Sequence, residues 1–154
     1  MGGGPIGIDG ATWGTRTAAD LMRRHFIALA PEDSLLDAER TMRLARVRAL
    51  PVVSDGRLMG VAAHREVLRA LLRRMIGSGR RASQQTLDAL RVESLAVSLP
   101  PSVPPEASLA EAALELCGLE SGCLAVVERD AGGDRMLGLL TESDLLRAAL
   151  RTPG

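Results

Sequence analysis

Apolar residues recur at Leu35, Ala38, Met42 and Ala45, three to four positions apart, with Arg40, Arg43 and Arg46 set away from them. That spacing predicts an amphipathic helix with one buried stripe. Ser34 stands just before it with Asp37 three residues on, a capping box that marks the helix start. Ala49-Leu50-Pro51-Val52-Val53 then reads as a strand, Asp55-Gly56 as a tight turn and Leu58-Met59-Gly60-Val61-Ala62 as the returning strand. A second helix is expected from about Arg65 to Met75, and Gln84 to Leu90 is a candidate for one more.

The pattern then returns. Leu35-Leu36-Asp37-Ala38 becomes Leu109-Ala110-Glu111-Ala112, and Leu50-Pro51-Val52-Val53 becomes Leu124-Ala125-Val126-Val127, at a constant offset of 74 residues. Past Asp55-Gly56 the offset rises to 78, because the second copy carries Arg129-Asp130-Ala131-Gly132-Gly133-Asp134, read as a lengthened hairpin loop. Ser108 with Glu111 repeats the capping box. The second copy therefore runs through Val103, Ala107–Leu119, Cys123–Val127, Met136–Leu140 and Glu142–Leu150.

Strand, helix, strand, strand, helix, twice over, suits an α/β (α+β) fold of two pseudo-symmetric repeats, each a small sheet covered by helices, packed into one module. The expected organisation is a flexible tail over 1–16, repeats over 17–75 and 91–151, and a linker over 76–90 that is basic and glycine-containing. Two copies of such a unit leave a cleft at their interface, where ligands tend to bind.

Composition narrows the function. All 19 basic residues are Arg, and with no Tyr, one Phe and one Trp there is little surface on which bases could stack, which argues against nucleic acid as a partner. Formal charge is zero, yet residues 1–91 hold 15 Arg and 9 acids (+6) and residues 92–154 hold 4 Arg and 10 acids (−6). Such asymmetry suits an anionic ligand at the first half, or two protomers meeting head to tail. Cys117 and Cys123 lie far in sequence from His25 and His64 and read as free thiols rather than metal ligands. Asp130 and Asp134 flank Gly132-Gly133 as turn formers. No apolar run approaches the ~18 residues of a membrane span, so the protein is expected in the cytoplasm. No nucleophile with a base, paired acid and base, or metal set has credible spacing, so an enzyme is not expected.

The sharpest candidate for chemistry is Thr141-Glu142-Ser143-Asp144. One reading is a third capping box, the Thr hydroxyl accepting from a helix amide and Asp144 reaching back. A compatible reading is a ligand site: a strand-to-helix turn offers amides and positive dipole to a phosphate, and a carboxylate accepts from both ribose hydroxyls.

Ala19-Asp20-Leu21-Met22, Val47-Arg48-Ala49-Leu50-Pro51-Val52-Val53 and Gly138-Leu139-Leu140-Thr141-Glu142-Ser143-Asp144-Leu145-Leu146, in that order and duplicated, resemble the CBS domain, named for cystathionine β-synthase. The pair resembles a Bateman module. The resemblance implies a stand-alone regulatory unit, not catalytic, that binds AMP, ADP, ATP or S-adenosylmethionine and transmits occupancy to a partner protein. It also implies a homodimer built through the helices. The alternative is a ligand-free dimerisation scaffold that docks to a partner.

The resemblance further implies two composite sites, each joining the closing Thr-x-x-Asp of one copy to the middle segment of the other, which holds the adenine. The first would join Leu140, Thr141 and Asp144 to Ile27, Val47, Arg48, Ala49 and Pro51. The reciprocal site would join Ala63-His64-Arg65-Glu66 to Gly122-Cys123-Leu124-Ala125. There Ala63 lacks the hydroxyl, Glu66 replaces the Asp and Ala125 replaces the Pro, so one nucleotide per chain, or a different second ligand, is expected. With no Lys, the phosphate cations would be Arg48 first, then Arg65 or the linker pair Arg80-Arg81, assisted by His64.

Overall fold

A computed structural model of the chain describes residues 13, 15–77, 84–95 and 99–150. The expected tail, apart from 13, 15 and 16, and the linker segment 78–83 with Arg80-Arg81 lie outside the described residues. In chain order the elements are α1 (Ala18–Leu21), α2 (Leu35–Ala45), β1 (Ala49–Ser54), β2 (Arg57–Ala63), α3 (His64–Gly77), α4 (Gln84–Asp88), a 3-10 turn at Val92–Ser94, β3 (Ser102–Val103), α5 (Leu109–Cys117), β4 (Cys123–Asp130), β5 (Gly133–Thr141) and α6 (Glu142–Leu150).

The chain divides into two compact units, one of Ile27–Pro100 and the other of Met1–Phe26 with Pro101–Gly154. Their bounds differ from those of the repeats, because the opening segment of each repeat joins the unit that holds the bulk of the other. The hydrogen bonds that tie these segments in are the same bonds, 74 residues apart. The Ala18 amide donates to Ala107 and the Ala19 amide to Pro105, as Val92 donates to Asp33 and Glu93 to Pro31; Leu109 donates to Arg16 as Leu35 does to Leu90.

In the unit of residues 27–100, α2 buries Leu35, Ala38 and Met42 of the predicted stripe, whereas Ala45, in the last turn, is exposed. They meet Leu50 and Val52 of β1, Ala62 of β2 and Val67 of α3 in one core. β1 and β2 form an antiparallel hairpin closed by Asp55 (φ 51°) and Gly56 (φ 75°), the two positive φ values that a twisted two-residue turn needs. Only half of the expected capping box forms. Ser34 Oγ accepts from the Asp37 amide at 3.0 Å, but the Asp37 carboxylate turns to Arg40, 3.7 Å away.

In the other unit, β4 pairs with β3 in parallel and with β5 in antiparallel fashion. Leu109, Ala112 and Leu116 of α5, Leu124 and Val126 of β4, Leu140 and Leu145 make its core, with Ala18 and Met22 from the far end of the sequence. Here both halves of the capping box form between Ser108 and Glu111. The expected longer loop is instead a longer ladder. Arg129 pairs with Asp134 and Asp130 with Gly133, leaving Ala131-Gly132 as the turn. Cross-strand ion pairs support the extension, Arg129 to Asp134 at 2.9 Å and Arg135 to Glu128 at 3.0 Å, and the Asp130 carboxylate accepts from the Gly132 amide at 2.8 Å.

Candidate functional site at the start of α6

β5 runs into α6 without a loop, so Thr141 ends the strand and Glu142 begins the helix. Thr141 Oγ1 accepts from the Asp144 amide at 3.2 Å, and Asp144 Oδ2 accepts from the Thr141 amide at 3.1 Å, the box that the sequence spacing predicts. Among the described residues Asp144 is the one charged side chain in the buried class, 8% exposed. A carboxylate so placed costs several kcal/mol unless it is paired.

Its partner is Arg23, 121 positions away in sequence. Asp144 Oδ1 accepts from Arg23 Nη2 at 2.7 Å and from Nε at 3.0 Å, and Oδ2 lies 3.1 Å from Nε. The Arg23 backbone is fixed by Leu139 of β5, with amide-to-carbonyl bonds of 2.8 and 3.0 Å in the two directions, while its side chain is 53% exposed. Burial pushes the Asp144 carboxyl up, but the bonds from Arg23 and Thr141 outweigh it and hold the group below its ordinary value. The acid is therefore an anion at neutral pH, and both of its oxygens accept hydrogen bonds.

Leu140 lies wholly within the core, so its side chain serves packing. Gly122, at φ 65°, precedes Cys123, whose buried thiol is pushed up to about 11 by burial. A Cβ on Gly122 would meet the Glu142 carboxylate at 3.2 Å, so an acidic group stands beside this turn.

The remaining site residues belong to the unit of residues 27–100. Pro51 and Ala49 are buried in β1, Val47 is half-buried, and Ile27 is exposed. The Arg48 carbonyl accepts from the His64 amide at 2.7 Å, while Arg48 and Arg65 themselves are exposed. The His64 ring lies 3.5 Å from Glu39, which also accepts from Arg43 at 3.2 Å. At the start of α3 Ala63 offers no hydroxyl and Glu66 is exposed. Among the described residues no cluster of three His, Cys, Asp or Glu could hold a metal ion, and no helix is long and apolar enough to cross a membrane.

Sequence reasoning missed Arg23. The usable signal was the run Arg23-Arg24-His25 directly after the opening motif, together with the need of any buried Asp144 for a cation.

The family model described as the CBS domain matches residues 18–73 and 92–151. No curated protein matches the chain. Among solved structures, the chain is similar to CBSX2, solved in complex with AMP, at 30% identity, covering 88% of this chain and 97% of that one with a TM-score of 0.68. That protein is a CBS-pair protein of Arabidopsis thaliana. A protein of Vibrio cholerae described as an acetoin utilization protein matches at 27% identity over 87% of this chain and 90% of its own, with a TM-score of 0.67. MJ1225 of Methanocaldococcus jannaschii matches at 26% identity over 88% of this chain and 48% of its own, with a TM-score of 0.74.

Proposed function

The chain belongs to the CBS domain family, as two repeats in one polypeptide, and from that premise we propose that it is a cytoplasmic, non-catalytic regulator that binds an adenine nucleotide and passes occupancy to a partner protein. The observation that carries the reading is the Thr141–Asp144 junction, a buried carboxylate at the start of a helix in the segment that the family model matches. The 30% identical relative solved with AMP supports the ligand class. In this reading Asp144 takes the ribose hydroxyls and Thr141 orders the junction.

The nucleotide acts by binding one arrangement of the protein better than another, and it shifts their balance only by that difference in affinity. A homodimer completes the proposal. It is supported by the apolar stripe Leu68, Leu72, Met75 and Ile76 on the outer face of α3, where Ile76 is 80% exposed, and by exposed Leu146 and Leu150 on α6. Light scattering of the wild type against Leu72→Glu tests the dimer, which the substitution is expected to dissociate.

Thermal unfolding with AMP, ADP, ATP and S-adenosylmethionine, and GTP as control, tests the ligand. A ligand at 100 times its dissociation constant adds about 2.7 kcal/mol, a rise of several degrees for a chain of this size. The expected result is a selective rise with adenine nucleotides that is lost in Asp144→Ala. No shift with any of them at millimolar concentration would overturn the nucleotide reading.

A further inference from the structure

Asp144 cannot receive a ribose while Arg23 holds it. Its carboxylate accepts from Arg23 Nη2 at 2.7 Å, from Nε at 3.0 and 3.1 Å, and from the Thr141 amide at 3.1 Å. An ionised carboxylate offers about four acceptor positions, and three donor hydrogens hold this one, the Nε–H being shared between both oxygens, so at most one position is left for a diol that needs two. A diol that donates two hydrogen bonds must displace the guanidinium. Arg23 is built to be displaced: its backbone is fixed to Leu139 at both amide and carbonyl, yet its side chain is 53% exposed.

We propose that Arg23 is the specificity-determining residue of the nucleotide site, exchanging the Asp144 carboxylate for the ligand's phosphate when the ribose docks, and so selecting phosphorylated over unphosphorylated adenosines. This rests on the nucleotide reading above and deepens it. The energetic argument is one of replacement. Neutral adenosine breaks a bidentate charged pair and leaves a guanidinium with only water, whereas AMP, ADP or ATP returns an anion whose oxygens fit the same planar fork. S-adenosylmethionine puts a cationic sulfonium where the nucleotides put their first phosphate and carries its one carboxylate further along the chain, so it is expected to pair the released guanidinium less well than AMP. Every group involved lies in the unit of Met1–Phe26 with Pro101–Gly154.

The exchange belongs to one site. In the 74-residue register Arg23 falls on Val97, an apolar residue, and Asp144 answers to Glu66 in the 78-residue register of the hairpin and closing helix. Those counterparts therefore keep a carboxylate, as Glu, but lack the cation.

Calorimetric titration of AMP, adenosine and S-adenosylmethionine into the wild type, Arg23→Gln and Arg23→Lys tests the proposal, with circular dichroism confirming that each variant is folded. The wild type is expected to prefer AMP over adenosine by tenfold or more, since a charge-assisted hydrogen bond is worth about that factor. Arg23→Gln is expected to tighten adenosine, because Asp144 is freed, and to weaken AMP, so that the preference collapses towards unity. Arg23→Lys keeps the charge but not the fork and is expected to retain a preference reduced severalfold; it carries the test if Arg23→Gln fails to fold. AMP and adenosine weakened equally, or an unchanged preference in the variants, would reduce Arg23 to a fold contact while leaving the nucleotide reading intact. Binding of no adenosine compound to any of the three proteins would overturn the nucleotide reading and this proposal with it.

Discussion

Gly138 is where the fold and the candidate site are coupled most tightly, and Gly138→Ala measures that coupling. A Cβ on Gly138 would lie 2.7 Å from Met22 Sδ, 2.8 Å from Met22 Cγ and 2.9 Å from the Arg23 carbonyl oxygen. The Met22 side chain can turn aside in part, since a thioether with several rotatable bonds adapts to its surroundings. The Arg23 carbonyl cannot. It accepts from the Leu139 amide at 3.0 Å, and retreat would stretch a bond worth about 1 kcal/mol. Overpacking of this kind typically costs 1–3 kcal/mol, and the lower entropy of an unfolded chain with Ala in place of Gly returns about 0.4–1 kcal/mol.

A net loss of about 1–3 kcal/mol is expected, read as a lower urea midpoint with an unchanged denaturant slope. Because the carbonyl that must move is that of Arg23, the guanidinium moves with it, and nucleotide affinity should fall in the same variant. Met22→Ala combined with Gly138→Ala divides the cost: coupling between the two substitutions assigns it to the side chain, and simple additivity assigns it to the backbone. A Gly138→Ala protein within about 0.5 kcal/mol of the wild type would refute the reasoning, since that is the range of surface substitutions that touch nothing.

Gly56 is the opposite case, because a Cβ there meets open space and the obstacle is φ 75° alone; Gly56→Val should cost roughly 1–2 kcal/mol in urea unfolding, with nucleotide affinity untouched. Arg23 and Thr141 hold Asp144 below its ordinary carboxyl value of 3.8, against burial that pushes it up, so the folded state binds that proton more weakly than the unfolded chain. This stabilisation is present above pH 3.8 and is lost as pH falls through the lowered value, so the stability gap between wild type and Asp144→Asn should shrink from roughly pH 6 to pH 3, and a constant gap in urea titrations would refute it. Cys117 is exposed whereas Cys123 is buried with its thiol pushed up to about 11, so a thiol reagent at neutral pH should label the native protein rapidly at Cys117, and Cys123 only on unfolding.

What the sequence made legible is local. The start of α5, the Asp55-Gly56 turn and the Thr141–Asp144 box are all set by residues within three positions of each other, and their spacing carries the information. What it concealed depends on distant partners or on competition. Asp37 has the right spacing for a box, yet Arg40 takes its carboxylate. The second hairpin had the residues for a long loop, but its ion pairs lie across the ladder and draw them into strands. Arg23 and Asp144 meet across 121 residues because the opening of the first repeat joins the unit of the second, and no periodicity in either segment announces that exchange.

The two strand-to-helix junctions of this chain form an internal control on what Asp144 is for. β2 passes into α3 with Ala63 and an exposed Glu66, and the first helical amide, that of His64, finds the Arg48 carbonyl at 2.7 Å. The repeat therefore builds this junction without a buried charge or a side-chain cap. β5 passes into α6 with Thr141 and Asp144, and the junction carries a buried carboxylate that costs several kcal/mol unless Arg23 and Thr141 compensate it. If capping alone were the purpose, an exposed acid or a hydroxyl would give the same cap without that penalty. On the proposed function the excess serves a ligand that uses the carboxylate, so the fold's demand and the ligand's demand separate experimentally. Asp144→Ala should abolish nucleotide binding while leaving the dimer assembled, and a variant that loses the dimer with no binding to lose would assign the junction to the scaffold instead.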